Sequence, residues 1–177
     1  MKLLIVGGTR FVGRHLVNAA LARGDSVTLF NRGVSGAAPA GVAQRRGDRS
    51  SDLNELASGE WDAVIDTCGY LPGDVARMAQ RLAGRVGCYA FISSISVYAS
   101  AATPNREDST LAVIDDVDTT TVDGRTYGPL KALCEAQVQR SFGSAALILG
   151  AGDIDLYKDE LLEKLALRSP GARGPVR

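Results

Sequence analysis

Along most of the chain, short continuous apolar runs alternate with stretches in which apolar residues recur every three or four positions. Leu3–Val6 is such a run, the right length for a strand buried on both faces of a sheet. It breaks at Gly7–Gly8. The spacing then becomes helical, with Phe11, Val12, Leu16, Val17, Ala20 and Leu21 on one stripe that ends at Gly24. Ser26–Phe30, Val42–Arg46, Ala63–Thr67, Cys88–Ser93 and Ala145–Leu149 read as further strands. Asp52–Ala57 suggests a short helix, Gly73–Ala83 a helix with Val75, Met78, Ala79 and Leu82 inward, and Tyr127–Phe142 a helix with Pro129 in its first turn. This alternation predicts an α/β fold, a doubly wound parallel sheet with strand order near 3-2-1-4-5-6, in one domain over residues 1–150.

Three stretches stand apart from that rhythm. Val34–Gly41 is a flexible Gly/Ala/Pro connection, and Ala99–Arg125 a long polar insertion. Residues 151–177 form a divergent C-terminal segment, with an amphipathic helix over Asp155–Leu167 (Leu156, Leu161, Leu162, Leu165) and a Pro/Gly/Arg-rich tail, Ser169–Arg177, expected to be disordered.

Composition narrows the class. The chain has 177 residues, enough for one domain with a real core, and its 45% hydrophobic and 23% charged residues are those of a folded globular protein. A formal net charge of zero gives no electrostatic reason to expect nucleic-acid or membrane binding. Cys68, Cys88 and Cys134 are scattered, without a CxxC pair, and with one histidine in the chain they read as reduced core residues of a cytoplasmic protein rather than metal ligands. No apolar run approaches the roughly 20 residues of a spanning helix. The acidic cluster Asp115, Asp116 and Asp118 lacks organised ligand spacing and reads as a solvated face.

The candidate chemistry begins where β-type spacing turns helical. Strand, glycine turn and helix N-terminus together make an anion site, because free backbone N–H groups and the positive end of the helix dipole meet there. In Gly7–Gly8–Thr9–Arg10–Phe11–Val12–Gly13, Gly7 suits the tight turn, Gly8 a close approach to ligand and Gly13 close helix packing; Arg10 stands where a middle glycine is usual. The second strand runs into Asn31–Arg32. At that position an acid would bond a ribose 2′-hydroxyl and an arginine would pair with a 2′-phosphate, so Arg32 favours NADP over NAD. Asp48, beside Arg49, has two open readings: an acceptor for the adenine amino group, or the cap of the short helix that follows. Thr67, Cys68 and Gly69, at a strand's carboxyl end, should line the cofactor. Tyr127 and Lys131 lie four apart on one helix face, a spacing that brings a phenol and an ammonium to one ligand.

With GGTRFVG at 7–13, SSISVY at 93–98 and YGPLK at 127–131, the chain resembles the extended branch of the short-chain dehydrogenase/reductase superfamily, the NAD(P)-dependent epimerase/dehydratase family, from Met1 to about Leu149. Arg10 makes it similar to a GGTRF subgroup that includes enzyme-like members and plastid RNA-binding relatives. The resemblance implies a Rossmann fold and gives Tyr127 the proton exchange with a substrate hydroxyl or carbonyl, Lys131 the nicotinamide ribose and a lowered tyrosine pKa, and Ser94 a hydrogen bond to the reacting oxygen. It also implies a nucleotide sugar or similar polar carbonyl compound as substrate, and a homodimer. Extended members continue further, into a lobe that holds the substrate. Here Leu149–Asp153 runs directly into the C-terminal helix, which leaves two alternatives: a non-catalytic NADP- or RNA-binding module, or a truncated form that only binds cofactor. An uncovered apolar patch along the last strand is the expected sign of truncation.

Overall fold

A computed structural model describes residues 1–102, 104–151 and 154–168. The tail expected over Ser169–Arg177 and the turn residues Gly152–Asp153 lie outside the described residues. Six strands, β1 (Lys2–Val6), β2 (Ser26–Asn31), β3 (Ala43–Arg46), β4 (Trp61–Asp66), β5 (Val86–Ser94) and β6 (Ala146–Ala151), form one sheet in the order β3-β2-β1-β4-β5-β6. Every neighbouring pair is parallel. Parallel strands need crossovers that cover both faces, so the apolar runs of β1 and β4 are buried on each side.

The four α-helices divide evenly. On one face α1 (Phe11–Ala22) and α4 (Ile154–Arg168) bury Leu16, Val17, Ala20, Leu161, Leu162 and Leu165 against Leu3 and Ile5. On the other, α2 (Pro72–Leu82) and α3 (Tyr127–Phe142) bury Val75, Met78, Leu82, Cys134 and Val138 against Leu4 and Val6. Helix α1 stops in a Schellman motif: Asp25 N–H reaches the Ala20 carbonyl (3.0 Å) and Gly24 N–H that of Leu21 (2.9 Å). Helix α2 starts with Pro72 in its first turn, where the missing N–H costs nothing.

Some boundaries differ from the sequence expectation for local reasons. Asp52–Ala57 holds only one 3-10 turn, Asn54–Leu56, because the chain must at once reach β4, which starts at Trp61 rather than Ala63. The C-terminal helix is one body with the rest, since its leucines complete the α1 face. Strand β6 lies at the sheet edge, and its Leu147, Ile148 and Leu149 are only half-buried. Among the described residues no helix is long and apolar enough to cross a membrane.

Candidate dinucleotide site

Strand order reverses between β1 and β4, each of which pairs with the other while the chain winds outward in both directions. Ligands of open α/β sheets sit outside the carboxyl ends of the strands at such a point. A cleft of about 620 Å³ lies there, lined by residues 6–13 after β1, 30–35 after β2, 47–50 after β3 and 67, 68, 70 and 71 after β4.

The glycine turn is built as its sequence requires. Gly7 and Gly8 take φ of 97° and 86°, a region residues with a Cβ rarely enter. A Cβ on Gly13 would stand 2.7 Å from the Gly8 nitrogen, so Gly13 lets α1 press on the turn itself rather than on the strand. Arg10 precedes the helix in extended conformation without a side-chain cap, and the first turn of α1 holds no acid. Those helix N–H groups are therefore left for an anion, and Thr9, Arg10, Phe11 and Val12 line the cleft around them.

At the adenosine end the residues divide their work. Asn31 is occupied by structure: its amide donates to the Gly7 carbonyl (2.8 Å) and its oxygen accepts from Gly33 N–H (2.9 Å) and Gln44 (2.8 Å). Arg32 extends along the cleft edge, 67% exposed, with Asp48 3.9 Å away. Of the two readings open for Asp48, the cap is not formed, because the 3-10 turn begins after Leu53 without a side-chain cap; Asp48 bonds Ser50 N–H (2.8 Å) within its own turn and stays in the cleft wall.

Arg49 points inward. Its two terminal nitrogens each donate to one oxygen of Asp66 at 2.8 Å, and one of them also reaches the Cys68 thiol at 3.6 Å. Asp66 has no exposure and additionally accepts from the Tyr89 hydroxyl (2.8 Å) and Cys68 N–H (3.1 Å). Burial alone would raise an Asp66 carboxyl, but the adjacent Arg49 charge and these hydrogen bonds outweigh it and hold the group below the usual carboxylate range. Burial, with Asp66 close by, pushes the Cys68 thiol up to about 11. Thr67 donates its hydroxyl to the Val6 carbonyl (2.7 Å), and the Gly69 carbonyl accepts from Lys131.

The reaction end is set by α3. Asp123 caps it, accepting from the N–H groups of Arg125 (2.8 Å) and Thr126 (3.0 Å). Gly128 leaves no room for a side chain, because any Cβ there would run into the Ser96 carbonyl oxygen. This contact holds Tyr127 over the one-turn 3-10 helix Ile95–Val97, whose preceding Ser94 hydroxyl accepts from Ser96 N–H and donates to the Ser96 hydroxyl, both at 3.1 Å. Tyr127 and Ser96 line a second cavity of about 690 Å³ together with residues 112, 113 and 122–125 of the insertion, and Val122 lines both cavities. Lys131 is 2% exposed and donates to the carbonyls of Gly69 (3.1 Å) and Ile92 (2.6 Å), with its ammonium 4.0 Å from the centre of the Phe91 ring. Burial lowers its pKa, opposed chiefly by Asp66.

Sequence reasoning missed Asp66, Tyr89, Asp74 and Val122; Tyr70 ends the turn Cys68–Gly69–Tyr70 that it expected to line the cofactor, and does line the cleft. Asp66 alone carried a signal, a carboxylate inside an apolar strand run, which demands a buried partner. Asp115, Asp116 and Asp118 are exposed, and among the described residues no group of three or more His, Cys, Asp or Glu is placed to hold a metal ion.

Comparison with known proteins agrees with this architecture. Residues 3–83 match the model of the NAD dependent epimerase/dehydratase family. A search of curated proteins found no match. Among solved structures, a UDP-galactose 4-epimerase aligns with TM-score 0.69 at 21% identity, covering 85% of this chain and 55% of that one. The UDP-glucuronic acid 4-epimerase of Bacillus cereus, solved with NAD, gives 0.66 at 18%, covering 85% and 56%. A short-chain dehydrogenase/reductase superfamily protein of Agrobacterium tumefaciens with bound NAD gives 0.67 at 23%, covering 85% and 48%. The chain thus spans about half the length of these structures, and at such identities the likeness is one of fold. Residues 3–83, a little under half of the chain, resemble the NAD dependent epimerase/dehydratase family, and the doubly wound sheet with its glycine turn at the switch point is the fold shared with these structures.

Proposed function

We propose that the chain binds a nicotinamide dinucleotide, NADP in preference to NAD, and uses it on a polar hydroxyl or carbonyl substrate of the nucleotide-sugar type. One observation carries this reading: the uncapped α1 N-terminus opens into a cleft that shares the lining residue Val122 with the cavity holding Tyr127. The residues fit such a cofactor. Residues 8–13 offer backbone N–H groups to the pyrophosphate, the Gly7 N–H being taken by the Phe30 carbonyl; Arg32 offers a charge for a 2′-phosphate, and Asp48, Arg49, Thr67 and Cys68 the remaining wall, while Gly69, expected there, stands outside the lining with its carbonyl on Lys131. When bound, the nicotinamide supplies hydride transfer.

The chain's own part is proton movement and orientation. Tyr127 exchanges a proton with the substrate oxygen, and Ser94 orients that oxygen. Lys131 would hold the nicotinamide ribose. The reading places the protein in the cytoplasm, in keeping with three unpaired cysteines, and expects a homodimer. The two parts 1–150 and 151–177 are proposed as the NAD(P)-binding domain and a divergent C-terminal segment.

The test is the melting temperature with NADP, with NAD and with neither, since a ligand selective for the folded state must raise it. A larger rise with NADP, reduced in Arg32→Ala, supports the reading; no rise with either ligand overturns it. A second reading, cofactor binding without turnover, is favoured by Lys131, whose ammonium is taken up by the Gly69 and Ile92 carbonyls. Tyr127→Phe separates the two: it abolishes turnover in the first and has no turnover to abolish in the second, with cofactor affinity retained in both.

A further inference from the structure

Strand β3 is the edge strand of the sheet, and in the sheet order β2 and β1 stand between it and β4. Arg49, in the loop after β3, nevertheless grips Asp66, the last residue of β4, with both terminal nitrogens. With neighbouring strands about 4.8 Å apart, this tie crosses roughly 14 Å of sheet. The strands it passes in the sheet order, β1 and β2, are the ones followed by the glycine turn and by Arg32. A second tie repeats the connection one residue on: the Ser50 hydroxyl donates to Asp74, in the first turn of α2, at 2.8 Å.

Arg49, Ser50, Cys68 and Asp74 all line the cleft, whereas Asp66 does not. Asp66 therefore acts on ligand only through others. One of its oxygens holds Arg49 and the Cys68 backbone, the other holds Arg49 and the Tyr89 hydroxyl. A largely buried ion pair such as this, with the Arg49 side chain 12% exposed and Asp66 fully covered, contributes little net stability compared with a well-packed apolar pair of the same volume. The arrangement here also leaves the buried Arg49 Nε without a partner, at a cost that simple packing would avoid. Fixed geometry is what such a pair supplies in return.

We propose that Asp66 is the positioning residue of the dinucleotide cleft: through Arg49 and Cys68 it fixes the separation between the wall that follows β3 and the wall that follows β4, between which the adenosine half of the ligand sits. This rests on the dinucleotide reading above. A ligand that must touch both walls loses affinity when their separation drifts, even in a chain that stays folded.

The test measures the dissociation constants of NADPH and ADP, well below the melting temperature, for the unaltered chain and for Asp66→Asn, Arg49→Lys, Tyr89→Phe and the Asp66→Asn/Arg49→Lys pair. Val138→Ala serves as a core variant that lowers melting without touching the cleft. We expect Asp66→Asn and Arg49→Lys each to weaken both ligands by about tenfold or more. The double variant should bind no worse than the weaker single one, because both substitutions break the same tie. Tyr89→Phe should lose about threefold, since one of four bonds to Asp66 is gone, while Val138→Ala melts lower with unchanged affinity. Folded Asp66→Asn or Arg49→Lys chains that bind within about twofold of the unaltered chain, or losses that add, overturn the proposal. Should Asp66→Asn not fold, Arg49→Lys and Tyr89→Phe decide by the same criteria. If the unaltered chain binds neither ligand, the dinucleotide reading falls and takes this one with it; if it binds and the variants bind equally, only the positioning role falls.

Discussion

Asp66 sits with no exposure at the end of an otherwise apolar strand, and its charge persists because Arg49 answers it with two hydrogen bonds. Removing one partner of such a pair leaves the other charge buried alone, so Asp66→Asn should cost about 3–5 kcal/mol at neutral pH. The sign of the pH dependence follows from the lowered carboxyl pKa. The stabilisation is fully present above the unfolded-state value near 3.9 and is lost as pH falls through the folded one. Urea titrations should therefore show a constant gap between the unaltered chain and Asp66→Asn from pH 8 to about 5, narrowing below about 4. A gap that stays constant down to pH 3 would mean the carboxyl titrates alike in the folded and unfolded chains, and one that widens on acidification would mean it is buried as the neutral acid. The sequence made Asp66 visible as a carboxylate in the run Ala63–Thr67, but not its partner. Arg49 lies 17 positions away, in a loop after a strand that is not a neighbour, and only the sheet order brings the two together.

At the level of elements, periodicity was a good guide wherever burial is one-sided or complete. The boundaries of α3, Tyr127–Phe142, and the strand order followed from it directly. It was a poor guide to how elements meet. YGPLK reads as a helix start with a tyrosine and a lysine one turn apart, yet Lys131 is drawn into the sheet by two strand-end carbonyls that no local pattern announces. The glycine in the same motif looks like a mere helix weakener, while the fold uses it to seat α3 on Ser96. Two glycines thus separate propensity from packing. Gly128→Ala should destabilise by about 1–3 kcal/mol through overpacking. Gly73→Ala, in α2, where an added Cβ meets nothing nearer than Arg77 at 4.0 Å, should stabilise by about 0.5–1 kcal/mol through helix propensity. Chemical denaturation of both variants checks the pair, and a destabilising Gly73→Ala would mean α2 is held by more than its own turns.

Taken whole, the molecule is a two-faced sheet whose carboxyl edge carries the recognisable residues and whose β6 edge is open. In β6, Leu147, Ile148 and Leu149 are half-buried and pack against the two cores, beside a smaller cavity under α4. Composition pointed to a folded α/β class and motif order to a family resemblance. Neither could show how the insertion lies, because Ala99–Arg125 has almost no periodicity. Its fold depends on a few long-range bonds, such as Ala112 N–H to the Val97 carbonyl (2.8 Å) and Ala99 N–H to that of Thr110 (2.9 Å). That loop carries Val122, which belongs to both cavities, and it exposes Arg106 and Arg125 to solvent. Cleavage by trypsin needs a segment to leave its surroundings and thread a protease cleft. A ligand that fills the two cavities at once grips the insertion from below, so the lifetime of the bonds after Arg106 and Arg125 under digestion becomes a clock for occupancy: short in the free chain, lengthened a little by dinucleotide, and longest when a second molecule completes the pair.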